Sequence, residues 1–147
     1  MAIGIYPNCD CCGNENDCTI CTGGTPTSIF VSFDTVPDNA CGNCTNYEIT
    51  SYELFHTVGC NWSGDGESCD GVPHNITLSL VESGGGGTYR WELTILNTVT
   101  ATIDGYFVGD DGFTATKNCS ATQTLSYDAT FANDVDCDWS GATATIN

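Results

Sequence analysis

Apolar and polar residues alternate along most of the chain beyond residue 27. Ile29, Val31 and Phe33 fall on one face of the segment 28–33, which predicts a half-buried strand. Tyr47 to Val58 continues as a second extended segment. The clearest signal follows: Ile76, Leu78 and Leu80 alternate with polar residues, and Tyr89, Trp91, Leu93 and Ile95 do so again. Gly84 to Gly87 separates the two runs, so a β-hairpin with one buried face is predicted. Val99, Ala101 and Ile103 extend the rhythm, and Asp104-Gly105 reads as a tight turn, as does Asp110-Asp111-Gly112. Leu125, Tyr127, Ala129 and Phe131 alternate, and so do Ala142, Ala144 and Ile146. The stretch between Cys60 and Cys69, with Gly64, Asp65 and Gly66, reads as a loop. No segment carries a helical period. About eight short strands at turn-separated spacing predict an all-β fold, with a β-sandwich or jelly-roll-like body spanning 28–147.

Residues 1–27 differ. Cys9, Cys11, Cys12, Cys18 and Cys21 stand among Gly, Asn, Asp and Thr with little apolar periodicity. This is a cysteine-rich N-terminal cap whose order must come from cross-links. The 147 residues suit a single domain overall, cap included.

Eleven cysteines change the picture most. Cys18-x-x-Cys21 and Cys41-x-x-Cys44 have the spacing of two knuckles around a tetrahedral, four-thiolate structural zinc. Disulfides are the competing use, and compartment decides between the two. Cys60 and Cys69 flank one loop, and Cys119 and Cys137 end a strand-turn-strand unit. Both pairs are therefore expected as short disulfides, each contributing roughly 2–3 kcal/mol by restricting the unfolded chain. The expected cofactor is thus none, or one structural zinc. Because the count is odd, one sulfur is expected to be free or to join another chain.

Nineteen acidic residues against Arg90 and Lys117 leave a net charge of −17. Such a surface repels phosphate backbones and anionic lipid, so neither nucleic acid nor membrane is an expected partner. No run approaches the apolar length of a membrane span. Met1 to Cys9 lacks the basic and apolar segments of a secretory leader. An oxidised composition without that signal is expected either from a leader outside this sequence or from release by lysis.

Catalytic motifs are missing. No GxSxG appears, and Gly84–Gly87 lacks the Lys and following helix of a phosphate loop. His56 and His74 are expected as structural or surface residues. Asp65, Glu67, Asp70, Asp110, Asp111, Asp134, Asp136 and Asp138 could supply calcium oxygens, but none fits an EF-hand loop, and turn carboxylates are their ordinary role. Trp91 is expected in the core. Trp62 and Trp139 lie within two residues of Cys60 and Cys137 and are expected to pack on disulfides, with sugar stacking the alternative.

The order of these features also resembles a group of proteins. It runs from Cys9-Asp10-Cys11-Cys12 and Cys18-x-x-Cys21 through Cys41-x-x-Cys44, Gly59-Cys60-Asn61-Trp62 and Cys69. The Ile76–Leu80 and Trp91–Ile95 hairpin, Cys119 and Cys137 complete it. This resembles cysteine-rich β proteins encoded by tailed bacteriophages and planctomycete-type bacteria. No catalytic residues are assigned in that group, so the resemblance implies none here. The expectation is a non-enzymatic virion component, a decoration, neck or tail-fibre module, partnered by copies of itself and other virion proteins. The alternative is an extracellular bacterial filament or adhesion module that binds glycans.

Overall fold

The computed structural model describes residues 16–34, 51–67, 71–83, 87–109, 117–133 and 137–147. All its regular elements are strands: β1 (Ser28–Phe33), β2 (Ser51–His56), β3 (Asn61–Glu67), β4 (Pro73–Glu82), β5 (Tyr89–Asn97), β6 (Thr102–Val108), β7 (Gln123–Tyr127) and β8 (Thr143–Ile146). Each pairs antiparallel with the next, and β8 returns to β1 through Val31↔Ile146 and Phe33↔Ala144. The result is a closed up-and-down barrel.

This corrects the sandwich or jelly-roll expectation. Strand alternation is the same in either architecture, so periodicity does not separate them. What closes the barrel is two short seams. Phe55↔Ser63 and His56↔Trp62 join β2 to β3, and Phe107↔Tyr127 and Val108↔Ser126 join β6 to β7. Elsewhere pairing is longer, up to the full length of the β4–β5 hairpin from His74↔Asn97 to Glu82↔Tyr89. Among the described strands, closure leaves no first or last strand unpaired to recruit another chain.

The predicted inward faces hold. Ile29, Val31 and Phe33, then Ile76, Leu78 and Leu80, then Trp91, Leu93 and Ile95 all point into the core. Eight strands leave an interior that side chains can fill. Trp62, Trp91 and Trp139 are fully buried there, with Trp62 and Trp91 edge-on at 5.5 Å and Phe107 against Trp139 at 5.7 Å. The alternation in Ala142, Ala144 and Ile146 likewise points inward.

Two local expectations fail for physical reasons. The supposed loop after Cys60 is strand β3. Its glycines permit a close approach of β2: a Cβ on Gly64 would lie 2.9 Å from the Glu53 carbonyl oxygen, and one on Gly66 would lie 2.7 Å from the Tyr52 ring. Asp104-Gly105 is not a turn either but a bulge within β6. The register steps from Ile95↔Gly105 to Leu96↔Ile103, so Asp104 is the extra residue. A bulge re-aims side chains, and here Asp104, Gly105, Tyr106 and Phe107 are buried in succession. The β5–β6 connection, not Val99-Ala101 alternation, makes the turn, with Ala101 at φ 59°.

Candidate functional site

The described residues place a covalent clamp at one end of the barrel and a buried polar pair at the other. At the end where β1 starts, residues 16–27 lie across the opening. Cys18 is bonded to Cys60, just before β3, and Cys21 to Cys119, ahead of β7. The sequence separations are 42 and 98 residues. Backbone hydrogen bonds reinforce the clamp. Thr22 N–H donates to Lys117 O at 2.7 Å, and Lys117 N–H to Ile20 O at 3.0 Å, around a parallel bridge between Cys21 and Lys117. The Trp62 indole donates to Pro26 O at 2.8 Å, and Gly59 N–H to Asn16 O at 2.7 Å. The sulfurs of Cys18, Cys21 and Cys119 lie within 4.8 Å of one another.

These bonds correct the expected pairings. Cys60 is taken by Cys18, so it is not bonded to Cys69, which lies outside the described residues. Cys119 is taken by Cys21, so it is not bonded to Cys137, although Cys137 is itself disulfide-bonded. The expected zinc ligands Cys18 and Cys21 are likewise committed to disulfides, while Cys41 and Cys44 lie outside the described residues. Sequence neighbours were the wrong guide, because the clamp joins segments brought together only by barrel closure.

Lys117 is the residue the sequence did not single out. It is 4% exposed, and its Nζ stands 5.7 Å from the centroid of the Trp91 ring. Burial pushes its pKa down to about 8, because desolvation disfavours the charged form.

The opposite end carries a buried polar pair. His74 on β4 and Asp104 on the β6 bulge meet at 2.6 Å between Nε2 and Oδ2, each nearly excluded from water. Thr102 Oγ1 donates to Asp104 Oδ1 at 3.1 Å, and the Trp139 indole donates to the Asp104 carbonyl at 3.0 Å. Gly105 makes room for that indole: a Cβ there would be 3.2 Å from Trp139 Nε1. His74 borders an open cleft of about 360 Å³ lined by Asp65, Gly66, Pro73, His74 and Thr98. A histidine oriented by a carboxylate can act as a general base. Here, however, the one hydroxyl among those lining residues, on Thr98, donates to Pro73 O at 3.0 Å. The pair ties β4 to β6 across β5, and among the described residues lining the cleft no free hydroxyl or thiol faces it.

The remaining described candidates make local contacts. His56 Nε2 bonds Gly59 O at 2.8 Å, and its ring lies tilted against Trp62 with centroids 5.5 Å apart. Asp65 accepts from Asn75 at 3.3 Å. Asp138 accepts from the Ser140 N–H and hydroxyl, which hold its carboxyl below the usual range. Asp70, Asp110, Asp111, Asp134 and Asp136 lie outside the described residues. With Trp62, Trp91 and Trp139 all buried, a tryptophan-based sugar platform is ruled out. Among the described residues, the exposed aromatics are phenylalanines. Phe30 and Phe55 stand diagonally on the outer face of β1–β2, flanking Glu53, at 47% and 57% exposure.

No family model, curated protein or solved structure matches the chain.

Proposed function

We propose that the chain is a non-enzymatic structural module working outside the reducing interior of a cell. Its first assignment is a phage particle, as a decoration, neck or tail-fibre component present in several copies. One observation carries the reading: an N-terminal segment covalently clamped across the end of a barrel whose interior is filled with side chains. Disulfides of that kind persist in oxidising surroundings and on virion surfaces. The filled interior leaves the outer face as the working surface. A net charge of −17 keeps that surface soluble and turns it away from nucleic acid. Repeated copies, a homo-oligomer or a ring, fit a virion role.

The test is proteomic. Particles purified after lysis of the producing culture should contain the chain in fixed, multiple copies per particle, with its disulfides intact. Recovery only from the reduced cytosolic fraction, or turnover of any substrate by the purified protein, would overturn the proposal. The glycan-binding alternative now rests on Phe30 and Phe55. A glycan-array signal abolished by Phe55→Ala would favour it over the virion reading.

A further inference from the structure

We infer that the sulfurs of Cys18, Cys21, Cys60 and Cys119 form a four-thiolate zinc site when the protein is reduced, and two disulfides when it is oxidised. The observation is a cluster of three of them, with the fourth bonded to one of the three. The sulfurs of Cys18, Cys21 and Cys119 lie within 4.8 Å of one another, and Cys60 is bonded to the first of them. A tetrahedral zinc with Zn–S of about 2.3 Å separates its four sulfurs by about 3.8 Å. Opening each S–S bond to that distance takes side-chain rotation, because the Cα atoms already stand 4.5 and 5.3 Å apart across the two bridges. Cys18 and Cys21 supply the knuckle spacing that favours a tetrahedral ion. Cys60 and Cys119 come from the two segments that the barrel brings beneath it. This ligand set differs from one read off the paired motifs Cys18-x-x-Cys21 and Cys41-x-x-Cys44.

The chemistry balances simply. A dithiol reductant gives two electrons and two protons to each bridge, breaking the S–S bond and becoming a disulfide itself. Two such exchanges yield four thiols. Zinc then binds as the thiols release their protons to solvent, since the thiolate is the ligand. In the reverse direction an oxidant of the disulfide class takes the electrons and zinc is released. The same barrel end is therefore clamped in both compartments, by metal before export or lysis and by disulfides afterwards.

The experiment uses the full chain, reduced anaerobically with a dithiol and given zinc chloride in slight excess. After desalting, bound zinc is measured with a chromogenic chelator, and cysteines are mapped by alkylation and mass spectrometry with and without chelator. The expected result includes zinc retained at this site. Cys18, Cys21, Cys60 and Cys119 should be shielded from alkylation only while zinc is bound, and Cys41→Ser/Cys44→Ser should shield the same four. Cys21→Ser/Cys119→Ser should lose that zinc. Should this variant fail to fold, the mapping on the unaltered chain decides. No retained zinc, or zinc-dependent shielding of Cys18, Cys21, Cys41 and Cys44 instead, would overturn the inference.

Discussion

Asp104, the extra residue of the β6 bulge, turns into the barrel and meets His74 of β4 at 2.6 Å. The contact spans β5 and anchors the end of the barrel beneath Trp139. A buried pair of this kind is costly to break from one side, because the survivor is left without its partner. Asp104→Ala should therefore lower the free energy of unfolding by about 3–5 kcal/mol. His74→Leu/Asp104→Leu should cost much less than His74→Leu and Asp104→Leu added together. Denaturant unfolding of the four proteins measures this as a coupling energy.

The clamp sets a second expectation. By chain entropy, a bridge closing 98 residues stabilises by about 4.7 kcal/mol and one closing 42 by about 4 kcal/mol. Cys21→Ser/Cys119→Ser should thus lower the unfolding midpoint slightly more than Cys18→Ser/Cys60→Ser. Chemical denaturation of the oxidised variants, at matched buffer, checks the order.

Lys117 makes stability depend on alkaline pH. Its folded pKa of about 8 lies below the ordinary 10.5, so between those values the unfolded chain binds more protons. Stability then rises with pH across that window. The cost of burying the ammonium is fully present below pH 8. Tyr106 and Tyr127 act oppositely: burial raises both, so above about pH 10 their folded forms hold protons that the unfolded chain has lost, and stability falls. Unfolding curves from pH 7.5 to 9.5 should climb for the native chain. They should be flat for Lys117→Met.

The β2–β3 seam supplies a fourth expectation. Gly64→Ala places a methyl 2.9 Å from the Glu53 carbonyl oxygen, a backbone atom that cannot swing away. The change should destabilise by about 1–3 kcal/mol. Hydrogen exchange should quicken first at the amides of β2 and β3.

Much of the fold was legible in the chain. The inward sets of β1, β4, β5 and β8 and the glycine hairpin follow directly from period-two alternation. What alternation does not encode is closure, since the seams at Phe55↔Ser63 and Phe107↔Tyr127 depend on register. Strand β3 was hidden because Gly64 and Gly66, needed for close approach to β2, are also loop residues. The bulge was hidden because Asp-Gly is a turn signature, and only the partner strand reveals the extra residue. The cysteines announced cross-linking but not connectivity: Cys60 sits near Cys69 in sequence and bonds Cys18 in space. Lys117 enters the sequence reading only as one of two basic residues, and nothing in its neighbours Thr116 and Asn118 signals burial.

The most direct measurement is disulfide mapping of oxidised protein, denatured with free thiols blocked. Trypsin cuts after Arg90 and Lys117, releasing a cysteine-free middle fragment, and peptic digestion then resolves the individual bridges. The predicted result is that the C-terminal tryptic fragment stays joined to the N-terminal one, with peptic peptides linking Cys18 to Cys60 and Cys21 to Cys119. Peptides linking Cys60 to Cys69 or Cys119 to Cys137, or Cys18 and Cys21 recovered as blocked thiols, would contradict it.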